Sequence, residues 1–328
     1  MRQRPRRWMT FLLATVLLGF ATVTAAAAPI GTLKQFRVPT DNSQPRSITN
    51  GSDGTRWFTE GTDFSGAPAK LARVTSAGVI TEFPAHCNFC ILTDVAQGPG
   101  GVLYLTSNDP VLSRFDITTE TFLDPVPMPN SSALGGNLSI SGDIIWITDF
   151  NNDVIWRYSI SMNQFTSTPV PDPADVAVDQ TGNAWFAQPE TNGPGTGTIG
   201  RIDAVTMDVT TTDVNAAARG IAVATDGQVW FSARFTPQAV GRLDPASGTV
   251  TIFPRTTEGP QEITPAPDGS MWFTQTTKGN IANITNAGVI TEAKEVKGSQ
   301  PFGIVVAENG DPWYTMLAAN KVATLKLR

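Results

Sequence analysis

Residues 51–60 read Gly-Ser-Asp-Gly-Thr-Arg-Trp-Phe-Thr-Glu, an Asp-Gly pair followed by a short aromatic segment. Asp-Gly accepts the positive φ that tight hairpins require, and aromatic or β-branched residues beside it favour strands. The pattern returns at intervals of about 43 residues, the length of one four-stranded propeller blade. The leading aromatic residues of the seven copies are Trp57, Tyr104, Trp146, Trp185, Trp230, Trp272 and Trp313.

The two ends of the chain indicate a closed ring. The seventh copy, which contains Trp313, has only three strands. A candidate for its fourth strand is the segment from Gly31 to Phe36, which is similar to Gly78 to Phe83, the fourth strand of the first copy. Pairing these ends would remove an open sheet edge. We therefore predict an all-β, seven-bladed β-propeller with four antiparallel strands per blade, closed by the N-terminal strand joining the last blade. Residues 29–328 would form this single domain.

The first 28 residues predict export. Four arginines precede an apolar stretch, and small residues at positions 25–28 offer a cleavage site, which is the layout of a secretory signal peptide. Removing residues 1–28 takes the net charge from −6 to about −10. We expect a secreted or periplasmic monomer without a membrane span. A chain this acidic argues against nucleic acid as a partner.

Two small features limit the chemistry. His86 is the single histidine, so a multi-histidine metal site within one chain is excluded. Cys87 and Cys90 predict a disulfide in an exported protein. The alternative is a soft-metal site that joins His86 to both thiols and needs a fourth ligand.

A functional site is expected at one mouth of the ring, where ligands of propellers usually bind. Counting outward from the turn at Asp53 brings Arg46 and Glu60 to the same rim, and the same offset applies to every blade. Among these rim positions, the candidates for binding a small polar molecule, a peptide or a sugar are Arg46, Glu60, Asp149, Arg219, Gln261 and Gln275. Glu60 and Asp149 are also candidate ligands for Mg²⁺ or Ca²⁺, since these cations prefer oxygen. The alternative is that the rim charges are solvated or paired with one another.

Other repeated residues predict packing instead of chemistry. We expect the Trp-Phe pairs to fill the spaces between blades. The arginines of the Gly-Arg-Ile/Leu pattern, Arg73, Arg201 and Arg242, are expected to tie neighbouring strands together.

Four recurring segments resemble the streptogramin lyase (virginiamycin B lyase) family. They are Pro-x-x-Ile, Asp-Gly-x-x-Trp-Phe-Thr-Glu, Gly-Arg-Ile and Gly-Val-Ile-Thr-Glu-Phe. The best matches run from Pro45 to Phe83 and from Pro260 to Glu292. The resemblance implies a seven-bladed propeller that opens a cyclic depsipeptide by Mg²⁺-assisted elimination. It implies a catalytic histidine where this chain has Gln261, and a substrate-contacting histidine where it has Arg219. The metal-holding acids implied by the family fall near Gly259, one residue after Glu258, and at Gln275.

These residues leave three functions open. The chain is either a lyase-family propeller that binds a ligand with altered or absent lyase activity, or an active enzyme. The enzyme would be a carbon-oxygen lyase or a lactone- or ester-cleaving enzyme that uses Mg²⁺ or Ca²⁺. The third function is a scaffold for protein interactions. An amide has no usable pKa for proton transfer, so Gln261 favours the first and the third functions over the enzyme.

Overall fold

The computed structural model describes residues 30–61, 69–87, 90–130, 132, 135–189, 196–235, 238–253 and 258–327. These residues form seven four-stranded antiparallel sheets, six of which are meanders of consecutive strands, while the seventh combines the last three strands with the first. The predicted all-β, seven-bladed propeller is confirmed. The predicted signal peptide lies outside the described residues.

The first four blades follow one another along the chain. Blade 1 comprises β2 (Pro45–Asn50), β3 (Arg56–Glu60), β4 (Lys70–Val74) and β5 (Ile80–Pro84). Blade 2 comprises β6 (Leu92–Gln97), β7 (Val102–Ser107), β8 (Val111–Asp116) and β9 (Thr121–Pro127), with a 3-10 turn at Pro99–Gly101. Blade 3 comprises β10 (Leu138–Ser141), β11 (Ile144–Asp149), β12 (Val154–Ser159) and β13 (Gln164–Pro169). Blade 4 comprises β14 (Asp175–Val178), β15 (Ala184–Gln188), β16 (Thr198–Ile202) and β17 (Val209–Asp213).

The remaining blades complete the ring. Blade 5 comprises β18 (Ala218–Val223), β19 (Val229–Ala233), β20 (Ala239–Asp244) and β21 (Thr249–Phe253). Blade 6 comprises β22 (Pro260–Pro265), β23 (Met271–Gln275), β24 (Asn280–Ile284) and β25 (Ile290–Glu292). Blade 7 comprises β26 (Pro301–Val306), β27 (Pro312–Met316), β28 (Lys321–Lys326) and β1 (Thr32–Arg37), which pairs antiparallel with β28. The predicted closure by the N-terminal strand is confirmed.

The core is divided among the spaces between blades. Seven apolar clusters fill them, and each contains one of the seven repeat aromatics. Trp57 of blade 1, for example, packs with Leu92 and Phe115 of blade 2. The expected inter-blade packing of these aromatics is confirmed. The Gly-Arg-Ile arginines lie over the tryptophans of the adjacent strand, with the guanidinium of Arg242 5.3 Å from the ring of Trp230.

The innermost strands begin with a shared irregularity. The first strand carries a β-bulge in blades 1, 2, 5, 6 and 7, so that Pro45, instead of Arg46, lies opposite Glu60. A hydroxyl of the second strand fixes the bulge and reaches the next blade. Thr274 Oγ1 accepts a hydrogen bond from Glu262 N (3.1 Å) and donates one to the carbonyl of Phe302 (3.0 Å). The backbone at the start of each such strand is therefore held by its neighbour, and its side chain is left available.

No helix among the described residues is long and apolar enough to cross a bilayer.

Candidate functional site

A cavity of about 310 Å³ occupies the axis of the ring and is lined by the innermost strands of all seven blades. We call the end at which these strands begin the mouth. Each blade contributes one residue to the mouth, two positions before a buried valine, leucine or isoleucine of its innermost strand. These residues are Arg46, Thr93, Gly136, Ala174, Arg219, Gln261 and Phe302. Thr93 and Phe302 also line the cavity.

The mouth is basic on the side of blades 5, 6, 7 and 1. Arg46 and Arg219 are half-buried, and no ion pair among the described residues includes either of them. Arg234, at the end of the second strand of blade 5, donates from Nη1 to Gln261 Oε1 at 2.9 Å. Burial lowers the pKa of Arg234, and the nearby charge of Arg219 lowers it further. Positive charge is thus concentrated on this side of the mouth.

One residue deeper, the channel becomes acidic. The equivalent positions are Ser47, Asp94, Asn137, Asp175, Gly220, Glu262 and Gly303, which we call the acid ring. Asp175 Oδ2 accepts from Ile221 N of blade 5 at 2.8 Å, and Asp94 Oδ2 accepts from Leu138 N of blade 3 at 2.8 Å. These carboxylates satisfy N–H groups on the inner sheet edges, which have no neighbouring strand on the channel side.

Glu262 differs from the two aspartates, because no backbone N–H among the described residues donates to its carboxylate. Burial raises the pKa of Glu262, and the charges of Asp175 and Asp94 raise it further. The charge of Arg219 and a side-chain contact with Gln261 oppose this rise. The structure thus stacks a basic mouth directly above an acidic ring.

Glu60 lies in the seam between blades 7 and 1 and does not line the central cavity. Its side chain is 1% exposed, and neither carboxylate oxygen has a hydrogen-bond donor among the described residues. Burial raises the pKa of Glu60 to about 8, and the adjacent Glu82 carboxylate adds to this rise. Glu82 itself accepts from Thr40 N at 2.8 Å and from Lys70 Nζ at 2.6 Å.

The other candidates at the ends of second strands are also buried between blades. Asp149 is fully buried, and its Oδ2 accepts from Trp156 Nε1 (3.0 Å) and Asn152 Nδ2 (2.9 Å). Gln275 is fully buried, with Nε2 donating to Glu292 Oε1 at 2.9 Å. In blades 1 and 6 the bulge shifts Glu60 and Gln275 away from the first-strand residues expected beside them, because a count from the turn by strand alternation misses one extra residue. Blade 3 has no such shift between β10 and β11, and Asp149 is held there by Trp156 and Asn152.

The Mg²⁺ implied by the resemblance does not fit the residues that blade 6 provides. Gly259 has no side chain, and Glu258 is exposed. Gln275 offers one buried carbonyl oxygen without a donor, but its amide nitrogen points at the ion pair of Lys278 and Glu292. One neutral oxygen is a weak donor set for a hard cation that prefers carboxylates.

His86 and the two cysteines lie on the outer connection between blades 1 and 2. The ring of exposed His86 packs against Phe122, with centroids 5.3 Å apart. The sulfur atoms of Cys87 and Cys90 are joined, and their Cα atoms are 5.6 Å apart. Among the described residues, the carboxylate of Asp109 comes within 4.8 Å of both sulfurs.

The sequence reasoning missed Arg234 and the acid ring. Arg234 directly follows the repeated aromatic strand, in a position held by Gly61 in blade 1. The acid ring could have been found by aligning the residue just before the apolar core position of each first strand, such as Asp94 before Val95 or Glu262 before Ile263.

Comparison with known proteins agrees with this architecture. The profile of the virginiamycin B lyase family matches residues 25–212 and 204–328. A virginiamycin B lyase from Nocardia farcinica is 27% identical over 153 residues, covering 47% of this chain. That match spans about half the length of the curated relative, 51%.

Two solved structures share the fold. A streptogramin B lyase superposes with a TM-score of 0.79 at 23% identity, covering 91% of this chain and 98% of the other. A catalytically inactive virginiamycin B lyase from Staphylococcus aureus, crystallised with quinupristin, gives 0.79 at 21% identity, covering 90% and 99%.

Proposed function

The chain belongs to the virginiamycin B lyase family, and we propose that it binds a polar ligand at the mouth of its propeller while its lyase activity is altered or absent. The observation that carries the proposal is that Gln261, at the position where the resemblance implies a catalytic histidine, accepts a hydrogen bond from Arg234 Nη1 at 2.9 Å. The ligand is expected to bear negative charge, since it would face Arg46, Arg219 and Arg234.

Gln261 supports the loss of the family chemistry. Elimination beside a carbonyl needs a base that accepts a proton, and a carboxamide does not ionise in the working range of an enzyme. The Gln261 oxygen is also engaged by Arg234 at 2.9 Å. A cation that would stabilise an enolate finds no carboxylate at Gly259 or Gln275.

The arginines support binding. A guanidinium presents five donors in a planar fork that matches carboxylate and phosphate oxygens. Burial lowers the pKa of Arg46, yet arginine stays charged in proteins, so the desolvated charge favours an anion. Arg46 Nε is buried and has no acceptor among the described residues.

The proposal is tested in two assays on the same preparation. Quinupristin is incubated with the protein and Mg²⁺, and ring opening is followed by reversed-phase chromatography, because elimination leaves the mass unchanged. We expect no ring-opened product. Calorimetric titration with citrate and with inorganic phosphate should show binding that Arg219→Gln weakens about tenfold, the loss of one charge-assisted contact. Arg56→Gln, at the opposite end of β3, is the matched control. Ring opening by the wild type, or no binding of either anion, would contradict the proposal.

A second candidate is an enzyme that cleaves a lactone or an ester. Glu60 favours it, because a buried carboxyl with a pKa of about 8 keeps its proton at neutral pH and is a candidate proton donor. Calorimetric titration with Mg²⁺ and Ca²⁺, repeated on Glu60→Gln, tests it. Tight binding that the variant loses would place a cation beside Glu60 and justify a screen of cyclic esters.

We also propose export, supported by the sequence of residues 1–28 and by the joined sulfurs of Cys87 and Cys90. Expression of the full chain in a bacterial host, followed by intact mass of the extracytoplasmic fraction, tests both. A mass corresponding to residues 29–328 with two hydrogens fewer than the reduced chain is expected. A full-length reduced chain in the cytoplasm would contradict both.

A further inference from the structure

The basic mouth also carries aromatic rings beside its arginines. The guanidinium carbon of Arg46 lies 5.8 Å from the ring centroid of Phe302, in the adjoining blade 7. The guanidinium carbon of Arg234 lies 5.8 Å from the ring of Phe235, which is 50% exposed. Two arginine-phenylalanine pairs therefore flank Gln261, one on each side.

Phe302 is held in place by the scaffold. Its carbonyl accepts from Thr274 Oγ1, and Gly303 N donates to Thr315 Oγ1 at 2.9 Å. A Cβ at Gly303 would lie 2.4 Å from the carbonyl oxygen of Arg46, so the backbone of blade 7 closely approaches blade 1 at this point. The ring of Phe302 thus projects from a fixed backbone at the entrance of the central cavity.

An arginine that stacks on an aromatic ring keeps its N–H edge free for an oxyanion. The exposed remainder of the ring offers apolar surface next to that edge. An aromatic or other planar group attached to the oxyanion would cover this surface and exclude water from the guanidinium, which strengthens the ionic contact. A bare inorganic anion would leave the rings of Phe302 and Phe235 solvated.

The acid ring restricts how such a ligand binds. Asp94, Asp175 and Glu262 lie one residue below the mouth, and their mutual repulsion contributes to the raised pKa of Glu262. An anion that entered the channel would meet these carboxylates. The oxyanion is therefore confined to the mouth.

From this arrangement we infer that the ligand is an amphipathic anion, an oxyanion joined to an aromatic or similarly planar apolar group. The inference rests on the proposed function, because it names the ligand class of the same site. Carboxylates and phosphate esters share the required chemistry.

The test compares four probes by calorimetry on the intact protein: 1-naphthoate, 1-naphthyl phosphate, acetate and the uncharged 1-naphthalenemethanol. We expect at least one naphthyl anion to bind about tenfold or more tightly than acetate, a difference equal to burying one aromatic face. The same anion should bind more tightly than the alcohol, which has the ring but lacks the charge. Phe302→Leu should reduce this preference, measured as the ratio of naphthyl-anion affinity to acetate affinity in the same variant. Arg46→Met should weaken every anion, whereas Arg56→Met should weaken none. Thermal unfolding of each variant verifies that it is folded.

The outcomes distinguish a failure of the inference from a failure of the proposed function. If citrate or phosphate binds but both naphthyl anions bind no tighter than acetate, the inference is overturned and the proposed function stands. The inference is also overturned if Phe302→Leu preserves a naphthyl preference. If no anion binds, the proposed function itself fails. Tighter binding of the ester than of naphthoate would identify phosphate as the source of the oxyanion.

Discussion

Glu60→Gln should stabilise the protein at neutral and alkaline pH. The wild-type carboxyl is 1% exposed beside Glu82, and its charged form is desolvated there. A glutamine has nearly the same shape and cannot ionise, so it mimics the protonated acid at every pH. Blade 6 already contains this arrangement, since Gln275 donates to Glu292 at 2.9 Å.

The size of the effect follows from linked proton binding. Below the ordinary pKa of 4.5, Glu60 is protonated in both the folded and the unfolded chain. In that range its titration does not change the free energy of unfolding. Above 4.5 the unfolded chain ionises, while the folded chain keeps the proton until about pH 8. The raised pKa therefore makes stability fall with rising pH across this window, by about 1.4 kcal/mol per pH unit. At pH 7 the wild type should be about 3 kcal/mol less stable than Glu60→Gln.

Urea unfolding followed by tryptophan fluorescence, from about pH 4 to pH 9, measures this difference. The wild type and Glu60→Gln should coincide near pH 4 and diverge steadily up to about pH 8. Gln275→Glu is the matched control, because it places a carboxyl beside Glu292 and should introduce a dependence of the same sign. Parallel pH profiles for the wild type and Glu60→Gln would refute the reasoning, since they would mean that Glu60 ionises equally in both states.

Three further changes probe the scaffold that presents the site, each measured by urea unfolding unless stated. Gly220→Ala should destabilise the fold by about 3 kcal/mol, because its Cβ would lie 2.4 Å from the Gln261 carbonyl oxygen. In Gly227→Ala the added Cβ would meet no atom, and only the backbone strain at φ 83°, about 1 kcal/mol, should destabilise the fold. If both alanine variants lost the same stability, the close contact at Gly220 would not be the cause. Thr274→Val removes the partner of two buried backbone groups and should destabilise by about 2 kcal/mol while weakening naphthyl binding, which depends on Phe302. A chain that begins at Val38 lacks β1, so the edge of β28 is open and can pair with another molecule. We expect this chain to aggregate, as measured by size-exclusion chromatography. A monodisperse monomer would show that the propeller does not need β1 to close the ring.

The repeat alone was sufficient to predict the architecture, because it records packing that every blade must satisfy. Trp57 and its counterparts fill equivalent spaces, and glycines such as Gly227 sit at turns with positive φ. The orientation of individual polar residues was not accessible in this way. Alternation along a strand assigns faces only when no residue is inserted, and the bulge before Ile48 inserts one.

The environments of the charged residues could not be predicted from the sequence repeat either. Glu60 and Asp149 occur at equivalent ends of second strands, yet one lacks hydrogen-bond donors among the described residues and the other is held by Trp156 and Asn152. Asn152 lies in the turn that follows β11, and Trp156 lies on β12. Arg234 reaches Gln261 from a neighbouring blade, 27 positions away in sequence. Such contacts arise from the ring, and the repeat does not encode them.

At the bulge, the backbone makes contacts that the fold requires, whereas the side chain of the bulged residue is free to vary. Its N–H and C=O groups are bound by the hydroxyls of Thr274, Thr315 and their counterparts, whatever side chain the bulged residue carries. In the five blades that carry the bulge, this position holds arginine, threonine, glutamine or phenylalanine, and the bulge is the same. Substitution here can therefore remove a base at Gln261 and add a charge at Arg219 while the propeller stays intact. Membership of the family consequently fixes the scaffold, and the chemistry of this chain has to be inferred from the residues at its mouth.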